Sequence, residues 1–237
     1  MSKKNIANKE VSENAAHASN TTLTFFEKYR KALITLGVAL LVGVCGYYAY
    51  DVTIAQPREE EAANALWKAQ YYLSIDSIDW ALNGYNNALG FQGVIDNYEG
   101  TDAAELAHYG AAICFRSKGD FGNALAHFKE VDVDDQAIAV YVLGNIGDMN
   151  VELGQLDEAV KYFEKAATLS KSNATRDALA GDYLLKAARV YIEQNNKEKA
   201  KETLEKAMEA MEGIDDPSTK AKYAEADKMM NFLKAQG

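Results

Sequence analysis

The sequence of 237 residues predicts an all-α protein, one uncharged helix of membrane length followed by a solenoid of stacked helix pairs. Three observations carry that prediction. No charged side chain occurs among the 19 residues from Ala32 to Tyr50. A block at 119–131 returns at 154–166 and again at 195–207, so the later chain repeats itself at roughly the length of a helix hairpin. The only prolines, Pro57 and Pro217, lie outside the apolar-periodic segments and leave long helices uninterrupted. Ordinary glycine content and two cysteines exclude a collagen-like, low-complexity or disulfide-stapled chain.

Residues 1–31 carry six basic side chains against three acids, and the stretch 5–22 is polar, small and aperiodic, the composition of a disordered cytoplasmic tail, in which His17 is solvated. As a helix, residues 32–50 would extend roughly 28 Å, the thickness of a bilayer's hydrocarbon core. Lys28, Arg30 and Lys31 precede this stretch, whereas Asp51 follows it and the next basic residue is Arg58. The positive-inside bias then puts the N-terminus in the cytoplasm and the rest across the membrane. Phe25, Phe26 and Tyr29 before the span and Tyr47, Tyr48 and Tyr50 after it suit the two interfaces. A cleaved signal peptide fits less well, because the lead is long and the best small-x-small site, Thr53-Ile54-Ala55, lies beyond the aromatic rim. A lipoprotein signal wants a small residue before its cysteine, and Val44 precedes Cys45. A buried core helix would not need these flanks.

Beyond the span, net charge is −13, which repels phosphate backbones and excludes nucleic acid as a partner. Pro57 and three glutamates open a first helix over 58–74, since acids favour a helix N-terminus. Glycines then break the chain before a short helix around 91–98, making 58–100 a degenerate or enlarged first repeat. Asp102, with Glu105 three residues on, offers a capping-box start for the next helix. From there the blocks align. Gly119, Ala124, Phe128 and Val131 match Gly154, Ala159, Phe163 and Ala166, and then Asn195, Ala200, Leu204 and Ala207. The helices preceding these blocks share a second register: Ala111, Ala112 and Phe115; Ile146, Gly147 and Asn150; Ala187, Ala188 and Tyr191. Small residues allow close helix approach, and the large one fills the space beside it. Gly213 and Pro217 stop the last pair, and a charged helix over 218–235 caps the open edge.

This pattern resembles the tetratricopeptide repeat over about 104–212, with its A-x3-F-x2-A signature in the second helix. It departs at Asn150, where an aromatic is usual, at Asn195, where the turn glycine is usual, and in six extra residues within SKSNATRDAL. The resemblance implies a peptide-binding groove lined by the first helices. Its positions here are Leu106, Tyr109, Ile113 and Arg116; Tyr141, Gly144, Asp148 and Glu152; and Asp182, Leu185, Arg189 and Glu193. The Lys/Asn carboxylate clamp of chaperone-binding members is absent, since Tyr109, Ile113, Gly144 and Asp148 stand there. The layout of tail, span and acidic repeats resembles YfgM-like ancillary subunits of the Sec translocon. The segment Trp80–Phe115 and the strings GDFGNAL and GNIGDMNVELGQLDEAV resemble repeat proteins of Bacteroidetes-type bacteria. These resemblances imply a membrane-anchored periplasmic protein whose partners are other proteins: the translocon, periplasmic chaperones or envelope complexes. A structural oligomeric scaffold or a regulator of an envelope machine is the alternative.

Nothing in the sequence points to an enzyme, a cofactor or a metal. His108 and His127 lack a His or Cys partner at i+3 or i+4, and Cys114 on an apolar face reads as a small core residue. The run Val131–Asp135 alternates acids but lacks an EF-hand's glycine and reads as a solvated turn. No P-loop, nucleophile-elbow or zincin string occurs, and N-x-[ST] strings at Asn20 and Asn173 decide nothing without a known compartment.

Overall fold

The computed structural model describes residues 28–170 and 177–236, divided between two units, Met1–Pro57 and Arg58–Gly237. The polar tail, His17, both N-x-[ST] asparagines and most of the six-residue expansion lie outside the described residues.

In the first unit, helix α1 (28–50) is exposed along its whole length. The helical run Lys28–Ser74 contains the one window among the described residues apolar enough to cross a membrane. A helix start at Pro57, expected from the sequence, is not what forms. Helical backbone already precedes it, and Asp51–Ala55 is a π-helical turn closed by Gln56 N–H to the Asp51 carbonyl. Proline lacks a donor, and its ring collides with the carbonyl four residues back, here that of Thr53. A widened turn just before Pro57 relieves that collision.

The second unit contains α2 (Gln56–Ser74, from Arg58 onward), α3 (Ile78–Asn83), α4 (Phe91–Asn97), α5 (Asp102–Ser117), α6 (Phe121–Lys129), α7 (Gln136–Glu152), α8 (Leu156–Ser170), α9 (Asp177–Glu193), α10 (Lys197–Met211) and α11 (Pro217–Ala235). Four of these helices end alike. The residue after the last turn is Asp76, Gly119, Gly154 or Asn195, at φ 60, 75, 71 and 58°. The following N–H bonds back to the carbonyl of Tyr72, Phe115, Asn150 or Tyr191 at 2.8–3.0 Å. This is one Schellman turn used four times, and asparagine tolerates the left-handed conformation well enough to replace glycine at 195. The turn at Asp76 puts α2 in the register of α5, α7 and α9, so a fourth pair precedes the three that the sequence aligns.

In that first pair the second helix is split. Ala81 and Leu82 of α3 are buried as their counterparts Ala124 and Leu125 are, but the helix stops at Gly84 and resumes as α4. A Cβ on Gly90 would lie 2.4 Å from the Gly84 nitrogen and 2.5 Å from the Leu82 carbonyl, so only glycine lets the chain fold back this tightly.

The small and large residues of the repeat meet as their spacing requires. Ala111, Ala112, Ala124, Phe128, Ala159, Phe163, Ala187, Ala188, Ala200, Leu204 and Ala207 are all fully or almost fully buried. Each such Phe or Leu contributes about 1.5–3 kcal/mol by leaving water. Asn150, also buried, is accommodated by donating its Nδ2 to the Ile146 carbonyl at 2.7 Å.

The cap of α5 differs from the sequence reading. Thr101, not Asp102, is the N-cap, its hydroxyl accepting from Ala104 N–H at 3.1 Å, which leaves Glu105 one place too late for a capping box. The carboxylate comes instead from α2: Glu59 accepts from the backbone N–H groups of Asp102 and Ala103, both at 3.1 Å. Two orphan donors and the positive helix end are satisfied by a residue more than 40 positions away. Glu59→Ala should therefore cost about 1–2 kcal/mol, more than Glu60→Ala, in chemical denaturation of the protein.

Candidate functional site

The first helices α5, α7 and α9 carry the groove positions, and α11 follows them as a fourth. Polar ties run from each helix to the next. Arg116 donates from Nη1 to Asn145 Oδ1. Lys186 Nζ lies 2.9 and 2.8 Å from the two Asp148 carboxylate oxygens. Lys222 Nζ is 2.8 Å from Asp182, and Arg189 makes two hydrogen bonds, 3.2 and 2.6 Å, to one Glu225 oxygen. Arg116, Asp148, Asp182 and Arg189 are thus already engaged. Glu152 and Glu193, both exposed, have no hydrogen bond or ion pair among the described residues.

Five of the expected groove residues converge on one cavity of about 370 Å³: Arg116, Asp148, Glu152, Arg189 and Glu193. Its apolar floor includes Phe121, Met149 and Phe163. Tyr141, half exposed, and Asp182 line a second cavity of about 330 Å³ with Lys222. Leu106, Tyr109 and Ile113 line neither. They are half-buried against the core, with the Tyr109 ring edge-on to Phe128 at 5.7 Å. Leu185 is fully buried, in the cluster that holds Ala226, Met230 and Leu233 of α11, so it presents nothing to a ligand. Its counterpart Gly144 is also covered, since a Cβ there would meet the Tyr183 ring at 2.2 Å.

Lys186, which no motif singles out, is the most constrained cation of this face. Besides Asp148 it lies 5.6 and 5.7 Å from the ring centroids of Phe163 and Tyr183, which stack on each other at 6.5 Å. Burial, reinforced by Asp148 and Asp182, raises the Tyr183 pKa far above the ordinary phenol value and keeps its hydroxyl protonated. Tyr191 is pushed up to about 12 by burial and by the Glu164 carboxylate that accepts its hydroxyl proton at 3.1 Å.

One pairing was not legible from local spacing. His108 of α5 and His127 of α6 meet Nδ1 to Nδ1 at 3.1 Å, and the His127 ring stacks on Phe115. Only one of the two nitrogens can donate, so the bond requires at least one unprotonated ring. Burial lowers both pKa values, His108 lowers that of His127 further, and Glu130 opposes both. Among the described residues no three metal-binding side chains cluster. The sign of the pH effect follows directly. Around the ordinary value of 6.5 the unfolded chain binds protons that the folded pair resists, so stability is full above that pH and falls as pH drops through the lowered values. Between pH 7.5 and 5 the melting temperature should fall more steeply for the native chain than for His127→Phe, which keeps the stack on Phe115; equal slopes would contradict this.

Cys114 is fully buried and its thiol is pushed up to about 11, chiefly by burial, in keeping with a small core residue. The acidic run before α7 has a definite task, because Asp135 caps that helix by accepting from Ala137 and Ile138 N–H at 2.6 and 3.1 Å.

Among solved structures, the translocator chaperone SycD of Yersinia enterocolitica type III secretion is 18% identical, with a TM-score of 0.47, covering 61% of this chain and 93% of that one. BtubC from P. vanneervenii is 15% identical, TM-score 0.47, covering 78% and 67%. YrrB, described as a TPR protein with an unusual peptide-binding site, is 18% identical, TM-score 0.41, covering 76% and 98%. No curated protein matches this chain. The family profile of the tetratricopeptide repeat, a module that mediates protein–protein interactions, matches from Gln136 at the start of α7 to Gly213 just after α10. Over those residues, α7 to α10, this chain is accordingly similar to the tetratricopeptide repeat family.

Proposed function

We propose that this protein is a single-pass inner-membrane protein that binds polypeptides of the cell envelope through its repeats. The observation that carries the reading is the cavity shared by α5, α7 and α9, where five expected groove residues converge and two carboxylates, Glu152 and Glu193, stand unengaged among the described residues. Free acceptors beside an apolar floor suit an extended or helical polypeptide that brings N–H or basic groups and one or two apolar side chains. The uncharged run before Asp51 and the basic residues ahead of it support an N-terminus in the cytoplasm and repeats in the periplasm. The partners in this reading are secreted chains at the translocon, periplasmic chaperones or envelope complexes.

Two experiments test it. A photo-crosslinking residue at Tyr141, Glu152 or Glu193 in intact cells should capture envelope polypeptides, whereas the same residue at buried Leu185 should not. Protease added to spheroplasts should digest the repeats. Crosslinks equally frequent at Leu185 would overturn the binding face, and repeats protected until the membrane is lysed would overturn the orientation.

A further inference from the structure

The two ends of the repeat stack are finished differently. In α5, α7 and α9 one face packs on the helix pair that precedes it. At matching register this face holds Cys114, Met149 and Val190, all buried. The shared Schellman turn places Tyr71 of α2 at that same position, and no described helix pair precedes α2 to cover it. Tyr71 is 50% exposed and Trp67, one turn earlier, 64%.

The exposed rings form one array. Trp67 stacks on Tyr71 at 6.0 Å, Tyr71 lies against Tyr72 at 6.0 Å, and Tyr72 meets the edges of Trp80 and Tyr85, which stack on each other at 4.1 Å. Trp80 and Tyr85 are 41% and 43% exposed. A solenoid normally ends in a polar cap. At the other end α11 exposes mainly Asp227, Lys228, Asn231 and Lys234, with single exposed rings at Tyr223 and Phe232 rather than a stacked array.

We infer that the α2 edge is a docking face for a basic amphipathic helix of another protein, seated where a preceding helix pair would pack. Area and charge select this occupant. The exposed parts of the four rings amount to roughly 400 Å², about half of what each partner in a stable dimer gives up. One helix fits that area better than a second copy. Residues 58–100 contain seven acids against Arg58 and Lys68. Of these acids, Glu60, Glu61 and Asp76 are exposed and make no side-chain bond among the described residues. Two copies face to face would set these acids against each other, whereas lysines or arginines of a partner would meet them and the ring faces together. The inference does not depend on the cavity between α5, α7 and α9.

The test uses the full chain in nanodiscs of zwitterionic lipid. Trp67 and Trp80 are its only tryptophans, so intrinsic emission reports on this edge alone. The probes are an 18-residue leucine/lysine amphipathic helix without aromatic residues and its leucine/glutamate counterpart. The lysine peptide should shift the emission to the blue and saturate. Trp67→Ser/Tyr71→Ser, with Trp80 as reporter and an unchanged melting temperature, should bind it at least tenfold more weakly, and so should Glu60→Lys/Glu61→Lys/Asp76→Lys. The glutamate peptide should give no shift with the native chain. Equal response to both peptides, or none to either, overturns the inference. So does retained affinity in the serine variant. Emission already blue and quenched by spin-labelled lipid before peptide is added would assign the face to the bilayer. A peptide-independent doubling of mass in light scattering would assign it to a second copy. Either result replaces the partner helix.

Discussion

Phe163→Ala should lower the stability of the repeat unit by about 3–5 kcal/mol, among the largest losses available to one side-chain truncation here. The ring is 1% exposed, lies over Gly147 of α7, stacks on Tyr183 of α9 and sits beneath Lys186. Two helices, α7 and α9, therefore lose a neighbour at once, and the void opens towards a cavity already present on that face. Urea denaturation followed by far-UV circular dichroism measures the loss. Truncating half-exposed Tyr141 should cost less than about 1 kcal/mol. If the two variants melted alike, the packing described around Phe163 would be wrong.

Gly147→Val approaches the same contact from the other side. A Cβ at 147 would lie 2.5 Å from Phe163 Cε1 and 2.6 Å from Cδ1, on a buried ring that also stacks on Tyr183. Alanine would regain about 1 kcal/mol of helix propensity against this clash. Valine adds two methyl groups and loses part of that gain to β-branching, so its net cost should be about 3 kcal/mol. Because the strain comes from one ring, Gly147→Val combined with Phe163→Leu should be less unstable than the sum of the single variants, a coupling readable in a double-mutant cycle. Strict additivity would place the strain elsewhere.

How far the structure could be read in advance depends on where the deciding contact lies. Ala124 with Phe128, Ala159 with Phe163 and Ala200 with Leu204 are legible because a helix pair must bury a small residue and a large one at fixed spacing, and both are visible within one segment. The copy over 58–100 was legible only as a degenerate or enlarged repeat, and its register was hidden because an insertion around Gly84–Gly90 splits its second helix and its left-handed turn residue is Asp76, a type with many other uses. The start of α5 could be placed only to within one residue. Thr101 and Asp102 are both good caps, and the choice is settled by the Glu59 carboxylate arriving from α2. The His108–His127 bond escapes a search at i+3 and i+4 because its partners are 19 residues apart on two helices. Arg116, Asp148, Glu152, Arg189 and Glu193 of the groove register line one cavity, yet register could not show that Leu185 is fully buried in the cluster that α11 joins. Register assigns a face of a helix; what covers that face is decided by other parts of the chain.

The ties described above join each first helix only to its immediate successor, and the largest apolar cluster gathers α7 to α11, leaving α2 to α5 with a smaller one. Cohesion in such a row is local, so fraying enters at a terminus and travels inward. Amide deuteration should accordingly be slowest in α8 and α9 and fastest in α3 and α4. Occupancy of the bare aromatic edge would then act as a keystone laid on the loose end, slowing exchange in α3, which carries Trp80 of that edge, and in α4 beyond it.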